Sequence, residues 1–508
     1  MTPPAGQEPA LRLASASGRW VLFATVLGSS MAAIDATVVG IALPAIGQEF
    51  HASLADLQWV VTAYTLALAG LLLVAGALGD RYGRRLVFLA GVVWFAIASV
   101  LCGLAPSAGV LIAARALQGV GAALLTPGSL AIIEASFHPD DRGKAIGAWS
   151  AFAGVGTAIG PFLGGFLIQV VSWRLIFAIN MPIAVLVIAV TWRHVPETRD
   201  IGETGPVDVL GGVLVTLGLI GLTYGLIDGP TAGWNHPVPL GALMAGLILL
   251  AAFVLRERRA RTPVLPLSLF SSAQFSSANV VTFVVYAALG GALFLLPIQL
   301  EQVSGYTALQ AGISLLPVTA IMLLLSARSG ALAARIGPRL QLTVGPIVIA
   351  AGLALFARIG HSVNYFTDVL PGVLVFGFGL AINVAPLTAT VLAAAPAHNA
   401  GAASAVNNDV ARAAGLIAVA VLPAAAGLTG SAYLHADAFS SGFKIASFIS
   451  AGLCVLGGAL AAATIRNPHP AAREPAAPGA VTTAARGPQP LLHCGLDSPP
   501  ARSAQFTS

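Results

Sequence analysis

The sequence GALGDRYGRR, at residues 76–85, separates two long apolar runs and recurs in degenerate form as GALAARIGPR at residues 330–339. The offset between the copies is 254 residues, and the same offset aligns GAWSA at 147–151 with GAASA at 401–405. One short match can arise by chance in a chain rich in Gly and Ala, but two matches that share one offset indicate an internal repeat. The chain is therefore predicted to contain two duplicated halves.

The composition excludes a soluble globular protein. Of the 508 residues, 57% are hydrophobic and only 9% are charged, whereas soluble domains carry about 25% charged residues. The net charge of +5 comes from basic residues in short loops between apolar runs, which is a signal of membrane topology and argues against a nucleic-acid partner. The three cysteines and nine histidines show neither a disulfide framework nor metal-ligand spacing, so no metal or other cofactor is expected.

Fourteen segments are apolar over about the 20 residues that a helix needs to cross a membrane. They lie near residues 20–44, 57–78, 86–105, 109–133, 145–170, 174–192, 208–227, 238–255, 278–298, 311–327, 340–357, 366–393, 401–428 and 445–465. The predicted fold is an all-α polytopic membrane protein with two pseudo-symmetric six-helix halves and two extra central helices. Parallel repeats of this kind are typical of many secondary transporters.

The chain is predicted to have five parts. Residues 1–19 form a disordered cytoplasmic N-terminus, 20–200 a six-helix bundle, 201–262 two linker helices, 263–466 a second six-helix bundle, and 467–508 a disordered cytoplasmic tail. Most of the 25 Lys and Arg residues fall on the side of both chain ends, and three fall on the other side: Arg174, Arg358 and Lys444. Because basic residues concentrate on the inner side of a membrane, both termini are expected in the cytoplasm.

The loop at 76–85 combines glycines that permit a tight turn with arginines that anchor it at the inner leaflet. Asp80 can accept hydrogen bonds from helix ends, or from arginines that change partner between states. The candidate functional residues of this loop are Gly76, Asp80, Arg81, Gly83 and Arg84. The alternative is a positively charged topology anchor. The fixed spacing and the second copy argue against a simple anchor.

The predicted fifth helix carries Gly156, Gly160 and Gly164 at intervals of four residues, and Gly165 follows. Glycines at this spacing leave one helix face bare, so that another backbone can approach closely. Pro161 removes one helical hydrogen bond. The alternative to a functional role is generic helix packing, which such glycine runs commonly serve.

Four charged residues lie inside the predicted spans: Asp35, Arg115, Asp409 and Arg412. A charge in a bilayer costs about 2.5–3.5 kcal/mol on insertion scales, so each is a functional candidate by default. Asp35 and Arg115 are predicted roughly 14 and 9 Å from the outer ends of their helices, at a depth where they can share a cavity. We hypothesise that Asp35 alternates between carrying a proton and engaging substrate or proton-linked water, and that Arg115 tunes its protonation.

Structural roles are the alternatives for these charges. Asp35 can simply pack the first helix, and Arg115 can extend toward the interface. Asp409 and Arg412 are three residues apart on one helix face, where they form either a self-neutralising pair or a second proton site. Glu301 is expected at the external boundary of the ninth helix, or at the mouth of a cavity.

These motifs resemble those of one transporter family. The loop at 76–85 closely resembles the signature between helices two and three of the major facilitator superfamily. GTAIGPFLGG at 156–165 resembles the antiporter signature of exporters in that superfamily. IDATVVGIALP at 34–44 is similar to LDxTVVNVALP of its fourteen-helix drug:proton antiporter branch, with Gly40 in place of the usual Asn. Other segments also match that branch: Arg115–Gly121, Trp173–Arg174, Asn180–Pro182 and Ser404–Asn408.

The resemblance implies an exporter in the inner membrane that moves small lipophilic or cationic compounds (drugs, dyes and antibiotics) in exchange for protons by alternating access. It implies small molecules, protons and the lipid bilayer as partners, and leaves open a periplasmic adaptor protein. It also implies that the loop at 76–85 gates the cycle. Because the second copy has Ala334 where the first has Asp80, this role is expected in the first copy only.

Other functions are weighed against that expectation. The same fold can serve a dedicated exporter of one endogenous metabolite or natural product, or a membrane sensor that moves no substrate. An enzyme is not expected, because the sequence contains no paired carboxylates, nucleophile–base arrangement or phosphate-binding loop. No ATP-binding motif is present either, so the energy is expected to come from an ion gradient, of protons or of sodium, or from the substrate's own gradient.

Overall fold

A computed structural model describes residues 11–199, 208–260, 263, 265–396, 399–429 and 435–467. Within these ranges the chain is built from fourteen long helices. Their bounds are α1 (Ala16–Phe50), α2 (Leu54–Tyr82), α3 (Arg84–Gly103), α4 (Ala108–Ser136), α5 (Pro139–Val170), α6 (Leu175–His194), α7 (Val209–Ala232), α8 (Pro237–Glu257), α9 (Ala273–Val303), α10 (Ala308–Ile336), α11 (Pro338–Phe356), α12 (Tyr365–Ala393), α13 (Ala400–Ala425) and α14 (Ala436–Thr464).

The helices agree with the predicted all-α membrane fold. Among the described residues, 13 helices are long and apolar enough to cross a membrane. The fourteenth, α5, has 32 residues but begins with the polar sequence PDDRGK, and its apolar stretch is the shorter segment Ile159–Val170. The fourteen spans predicted from the sequence therefore approximately match the thirteen membrane-length helices of the structure, and the difference lies at α5.

The two halves repeat one packing pattern. In the first half α3 and α2 pack on α4, while α1 packs on α5 and α6; in the second half α11 and α10 pack on α12, while α9 packs on α13 and α14. Each helix of the first half thus has its counterpart eight helices later in the chain, so that α1 corresponds to α9 and α4 to α12. The extra pair, α7 and α8, packs together, and α7 contacts both α2 and α13. The internal repeat seen in the sequence is thus also a repeat of helix contacts.

Residues 11–19, which composition assigned to a disordered N-terminus, are ordered, and this corrects the prediction for that stretch. The Leu11 N–H donates to Ser136 O at 2.8 Å, and the His138 N–H donates to Leu11 O at 3.0 Å. Arg12 pairs with Asp140 at 3.1 Å. The order arises from these contacts with the α4–α5 loop, more than a hundred residues away, which composition cannot register. Residues 1–10, 201–207 and 468–508 of the predicted termini and linker lie outside the described residues.

One side of the helix bundle carries the arginines of both loop copies. We call it the arginine-rich side; it contains the α2–α3 loop and the α10–α11 loop, together with the ends of α6 and α14. The Arg84 N–H donates to Thr198 O beyond α6, and the Arg339 N–H donates to Asn467 Oδ1 beyond α14. The other side, where α1 and α9 end, is called the opposite side below.

The halves contact each other near the opposite side. Gln58 Nε2, one turn into α2, donates to Val419 O on α13 at 2.5 Å. A Cβ added to Gly165 of α5 would overlap Ala308 O at the start of α10. Toward the arginine-rich end of α5, by contrast, a Cβ added to Gly147 would meet no atom within 4 Å. The contacts of Gln58 with α13 and of Gly165 with α10 thus hold the halves together on the opposite side.

Candidate functional site

A buried ion pair joins α1 to α4. Arg115 Nη1 donates to Asp35 Oδ2 at 2.5 Å, and the two residues are 1% and 0% exposed. The Arg115 Nε donates to Val60 O of α2 at 3.2 Å. The guanidinium carbon lies 4.3 Å from the centre of the Tyr64 ring, within the range of a cation–π contact. Arg115 is therefore held by three helices and does not extend toward the interface.

Neutral side chains complete the coordination of Asp35. Gln118 Nε2 and Asn180 Nδ2 both donate to Asp35 Oδ1, at 2.8 and 3.1 Å. The same two amides donate to Ser99 Oγ, at 2.8 and 3.2 Å. Each Asp35 oxygen thus accepts at least one hydrogen bond, and the network draws on α1, α3, α4 and α6. All of its members lie in the first half.

Glycines of α4 let the helices come this close. A Cβ on Gly119 would lie against Tyr64 O of α2, and a Cβ on Gly121 would lie 2.6 Å from Phe95 N of α3. Glycine at both positions is therefore needed for the backbone approach. The segment Arg115–Gly121 therefore supplies two members of the network, Arg115 and Gln118. It also supplies the two glycines that let the neighbouring helices approach.

A cavity of about 350 Å³ lies between the two halves, apart from this network. It is lined mainly by apolar side chains. The first half contributes Ala36, Thr37, Gly40, Ile41, Val61, Thr62, Thr65 and Pro161; the second contributes Gly290, Leu293, Phe294, Pro297, Leu315, Ala411, Arg412, Gly415, Leu416 and Val419. Its volume lies within the range of small-molecule sites. Asp35 and Arg115 are not among these residues, so the pair expected to share a cavity is instead packed beside it.

Arg412 is the single formally charged residue among the described residues that line the cavity. Asp409 lies one turn away on α13 toward the arginine-rich side. Within the part of the chain that the structure describes, Asp409 Oδ1 and Arg412 Nε are both buried without a hydrogen-bond partner, and no salt bridge joins the two side chains. The self-neutralising pair considered from the sequence is therefore not formed in this state.

The glycines of α5 pack against α1. A Cβ on Gly156 would lie 3.1 Å from Ser30 Cβ, while one on Gly160 would overlap Thr37 Oγ1 and one on Gly164 would overlap Val38. Gly165 faces the other half at Ala308, and Pro161 lines the cavity. The predicted bare face exists, and it lies against the part of α1 that carries Asp35.

The loop at 76–85 is bound to the end of α6. Asp80 accepts a hydrogen bond from Arg84 Nε at 2.9 Å. Glu197 accepts hydrogen bonds from the backbone N–H groups of Arg85 and Leu86, at 3.1 and 3.2 Å, and so caps the N-terminus of α3. Gly83 has φ 119°, a value that side chains disfavour, and a Cβ there would lie 2.6 Å from Glu197. The other two candidates, Gly76 and Arg81, lie in the last turns of α2.

The second loop copy repeats part of this geometry, with the neutral side chain of Asn467 in the place of Glu197. Gly337 has φ 84°. Asn467 Oδ1 accepts from the Arg339 N–H at 3.0 Å, and Arg339 Nη2 donates to Ala462 O at 2.6 Å. These contacts correspond to those of Arg85 with Glu197 and Val195. All described loop contacts stay within one half, so in this state neither loop joins the halves.

A second cluster holds the first half together on the opposite side. Glu49 at the end of α1 accepts from Trp173 Nε1 and Arg174 Nη1, each at 2.5 Å. Arg174 Nη2 also donates to Ala105 O at 2.9 Å, in the α3–α4 loop. The Trp173–Arg174 motif therefore ties three ends of helices together.

Some members of the network around Asp35 were not singled out as site residues from the sequence. Gln118 and Asn180 were noted only as parts of motifs, and Ser99 and Tyr64 not at all. Gln118 and Asn180 carry a detectable signal, because a buried amide inside an apolar helix needs a partner. Ser99 carries none, since a serine can satisfy itself within its own helix.

Comparison with known proteins adds independent findings. The family model described as Major Facilitator Superfamily matches residues 25–420. The chain is 37% identical over 405 residues to the tetracenomycin C resistance and export protein of Streptomyces glaucescens, covering 79% of this chain and 74% of that one. It is 34% identical over 458 residues to the puromycin resistance protein pur8 of Streptomyces alboniger, covering 87% and 90%.

Solved structures of similar shape include a D-xylose-proton symporter, with a TM-score of 0.63 and 15% identity over 89% of this chain and 99% of that one. A bacterial homolog of the human lysosomal transporter Spinster, in an inward-facing and unoccupied conformation, gives a TM-score of 0.62 at 17% identity, covering 89% and 97%. At these identities the likeness concerns the fold alone.

Proposed function

Because the chain belongs to the Major Facilitator Superfamily, we propose that it exports small lipophilic compounds, antibiotics among them, in exchange for protons by alternating access. The observation that carries the proposal is the cavity between the halves, which is large enough for a small molecule and closed on the opposite side. The two similar proteins described above are named for resistance to antibiotics, and one of them also for export. These two facts support a drug exporter over a sensor.

The arginine-rich side is the cytoplasmic one in this proposal, and the membrane is the cell's inner membrane. The distribution of Lys and Arg supports that orientation. The described state then faces the cytoplasm and is ready to take up substrate. Rocking of the two halves would close the arginine-rich side and separate the contacts of Gln58 with α13 and of Gly165 with α10.

Proton coupling is assigned to Asp409, next to Arg412 at the cavity. An unpartnered carboxylate oxygen beside a cavity can take up a proton without first breaking another bond. Asp35 carries a proton in this scheme only if a later state separates it from Arg115, Gln118 and Asn180. In the described state the Asp35–Arg115 pair instead fixes α1 against α4. Because the glycine face of α5 lies directly against α1, these helices would move together when the half rocks.

The test is transport by the purified protein in proteoliposomes with an imposed pH gradient and puromycin as the probe. We expect uptake into inside-acidic vesicles that hold inverted protein, and its loss when a protonophore collapses the gradient. Asp409→Asn is expected to abolish the pH-driven component, while Asp437→Asn, which removes an exposed carboxylate on α14, leaves it intact. Transport driven equally well by a sodium gradient, or pH-driven transport by Asp409→Asn, would contradict the coupling proposal.

A second candidate keeps the fold and the drive but narrows the cargo to one natural product. Two relatives favour it, since each of the two resistance proteins above is named for a single antibiotic, whereas another relative of 37% identity is named a multidrug resistance protein. A competition series in the same vesicles separates the candidates. A multidrug exporter is inhibited by many unrelated lipophilic compounds, whereas a dedicated exporter is inhibited only by close analogues of its substrate.

A further inference from the structure

A second cavity, of about 640 Å³, lies on the opposite side at the junction of the two halves. We call the junction the outer seam. It is lined by Gly47, Gln48, His51 and Ala52 from the end of α1 and the following loop, by Glu301, Gln302 and Val303 from the end of α9, and by Ala436 and Phe439 from α14. Its walls thus come from both halves, and any rocking motion that opens the opposite side must separate them.

Glu301 is the one carboxylate among the described residues that line the outer seam. Its Oε1 is buried and has no hydrogen-bond partner within the described chain. Glu301 lies in a π-helical turn, Gln299–Val303, which ends α9. Such turns are rare and occur frequently at functional sites. The turn itself is fixed, because Gln299 Nε2 donates to Ile359 O at 2.9 Å.

The other ionisable groups near the seam are already paired or differ in kind. Glu49 is bound by Trp173 and Arg174. Asp437 is 98% exposed and pairs with His361. His51, at the end of α1, is the other titratable residue that lines the cavity, and it lies within no salt bridge of the described chain. No salt bridge among the described residues joins Glu301 to a basic side chain.

We propose that Glu301 is a proton-binding residue that controls closure of the outer seam. Closing the seam removes the Oε1 atom of Glu301 from water without giving it a partner. The desolvation free energy on closure is large for the ionised form of Glu301 and much smaller for the neutral form. Closure therefore takes up a proton from the opposite side, and opening the seam releases it to that same side.

This inference deepens the proposed function, because it rests on alternating access. It assigns to Glu301 the control of one gate, not the carrying of protons across the membrane. A proton bound at the seam returns to the side from which it came. Acid on the opposite side would thus favour the return to the cytoplasm-facing state after substrate has left, while Asp409 remains the residue proposed for coupling.

The test measures opening of the opposite side directly, without substrate and without a pH gradient. Spin labels at Leu104→Cys and Phe366→Cys report it, since both side chains are exposed on that side, one in each half. The native cysteines are replaced by alanine, and distances are measured by double electron–electron resonance in nanodiscs. For one linked proton, the ratio of open to closed molecules is expected to rise up to about tenfold per pH unit as the pH increases.

Glu301→Gln keeps the shape and removes the charge, so this variant is expected to stay closed across the same pH range. His51→Gln and Asp437→Asn are expected to open with pH as the parent does. A parent protein whose distance does not change with pH, or a Glu301→Gln variant that still responds, would overturn the proposal. If Glu301→Gln does not fold, Glu301→Asp serves in its place and must retain the pH response.

This outcome is separable from the export assay. A protein that moves no antibiotic but opens with rising pH, and does so through Glu301, supports the seam proposal and contradicts the proposed function. A protein that exports with proton coupling but shows no pH-dependent opening does the reverse.

Discussion

The two halves share one pattern of helix packing but place their charges differently. In the first half, Asp35 and Arg115 are fully buried in a network of hydrogen bonds and do not line the cavity. The 254-residue offset puts Leu289, a buried apolar residue, where the first half has Asp35. The second half carries its charges on α13, where Arg412 lines the cavity and the Asp409 oxygen lacks a partner. Satisfied charges hold a half together, and unsatisfied ones are free to bind a ligand or a proton.

The comparison predicts its largest effect for the buried pair. Removing one partner of a buried ion pair leaves an uncompensated charge, so Arg115→Met is expected to destabilise the protein by about 3–5 kcal/mol. Arg412→Met removes the same charge from the second half and is expected to cost at most ~1 kcal/mol, since no bond is lost. Chemical unfolding in mixed micelles measures both. Equal losses would show that the two arginines play the same structural part, and the double variant Asp35→Leu/Arg115→Met should recover stability if the pair is a scaffold.

The glycines of the central helices give the next prediction. A Cβ on Gly160 would overlap Thr37 of α1, whereas a Cβ on Gly415 of α13 would meet nothing within 4 Å. We therefore expect Gly160→Ala to cost about 1–3 kcal/mol through overpacking, while Gly415→Ala is neutral or stabilising by up to ~1 kcal/mol through the higher helix propensity of alanine. The same unfolding titration applies. Similar values for both would mean that α1 yields easily, and that the bare face of α5 does not set the distance between these helices.

The architecture was accessible from the sequence because its signals are local. The apolar runs, the turn glycines Gly83 and Gly337 and the repeated arginines each act within about ten residues, and the two copies reinforce each other. The bare face of α5 was predicted for the same reason, since glycines four residues apart share a face whatever lies opposite. What lay opposite, Ser30, Thr37 and Val38 of α1, depends on the tertiary fold.

The arrangement around the charges was less accessible. Depth arguments placed Asp35 and Arg115 near each other, but only the packing of four helices reveals that Gln118 and Asn180 fill the remaining positions around the carboxylate. Spacing on a helix likewise made an Asp409–Arg412 pair reasonable. Arg412 instead lines the cavity between the halves, and a one-dimensional pattern contains no cavity. The order of residues 11–19 was missed because it depends on partners more than a hundred residues away.

A smaller effect is expected at the two loop copies. Glu197 accepts two backbone hydrogen bonds at the start of α3, whereas Asn467 accepts one at the start of α11. Loss of a capping side chain costs about 0.5–2 kcal/mol. We expect Glu197→Ala to increase hydrogen exchange at Arg85 and Leu86 more than Asn467→Ala increases it at Arg339. Added salt should reduce the difference, because only the Glu197 cap is charged. Equal exchange in both variants would remove the distinction between the copies.

The smallest expected effect lies in the linker helices, outside both halves, where Asp208 is an intermediate case: it is buried, but its partner Arg256 is partly exposed. Burial by itself raises the pKa of Asp208, but hydrogen bonds from Arg256 and from the Gly211 N–H outweigh it, so the pKa lies below its usual value. A carboxylate with a lowered pKa stabilises the fold above its unfolded pKa of about 3.9, and this contribution disappears as the pH falls through the folded value.

Asp208→Asn should therefore destabilise α7 and α8 at neutral pH, by at most ~1 kcal/mol because Arg256 is partly exposed. The difference from the parent should vanish in acid. If the difference stayed as large in acid, the Asp208 carboxylate would not be its source.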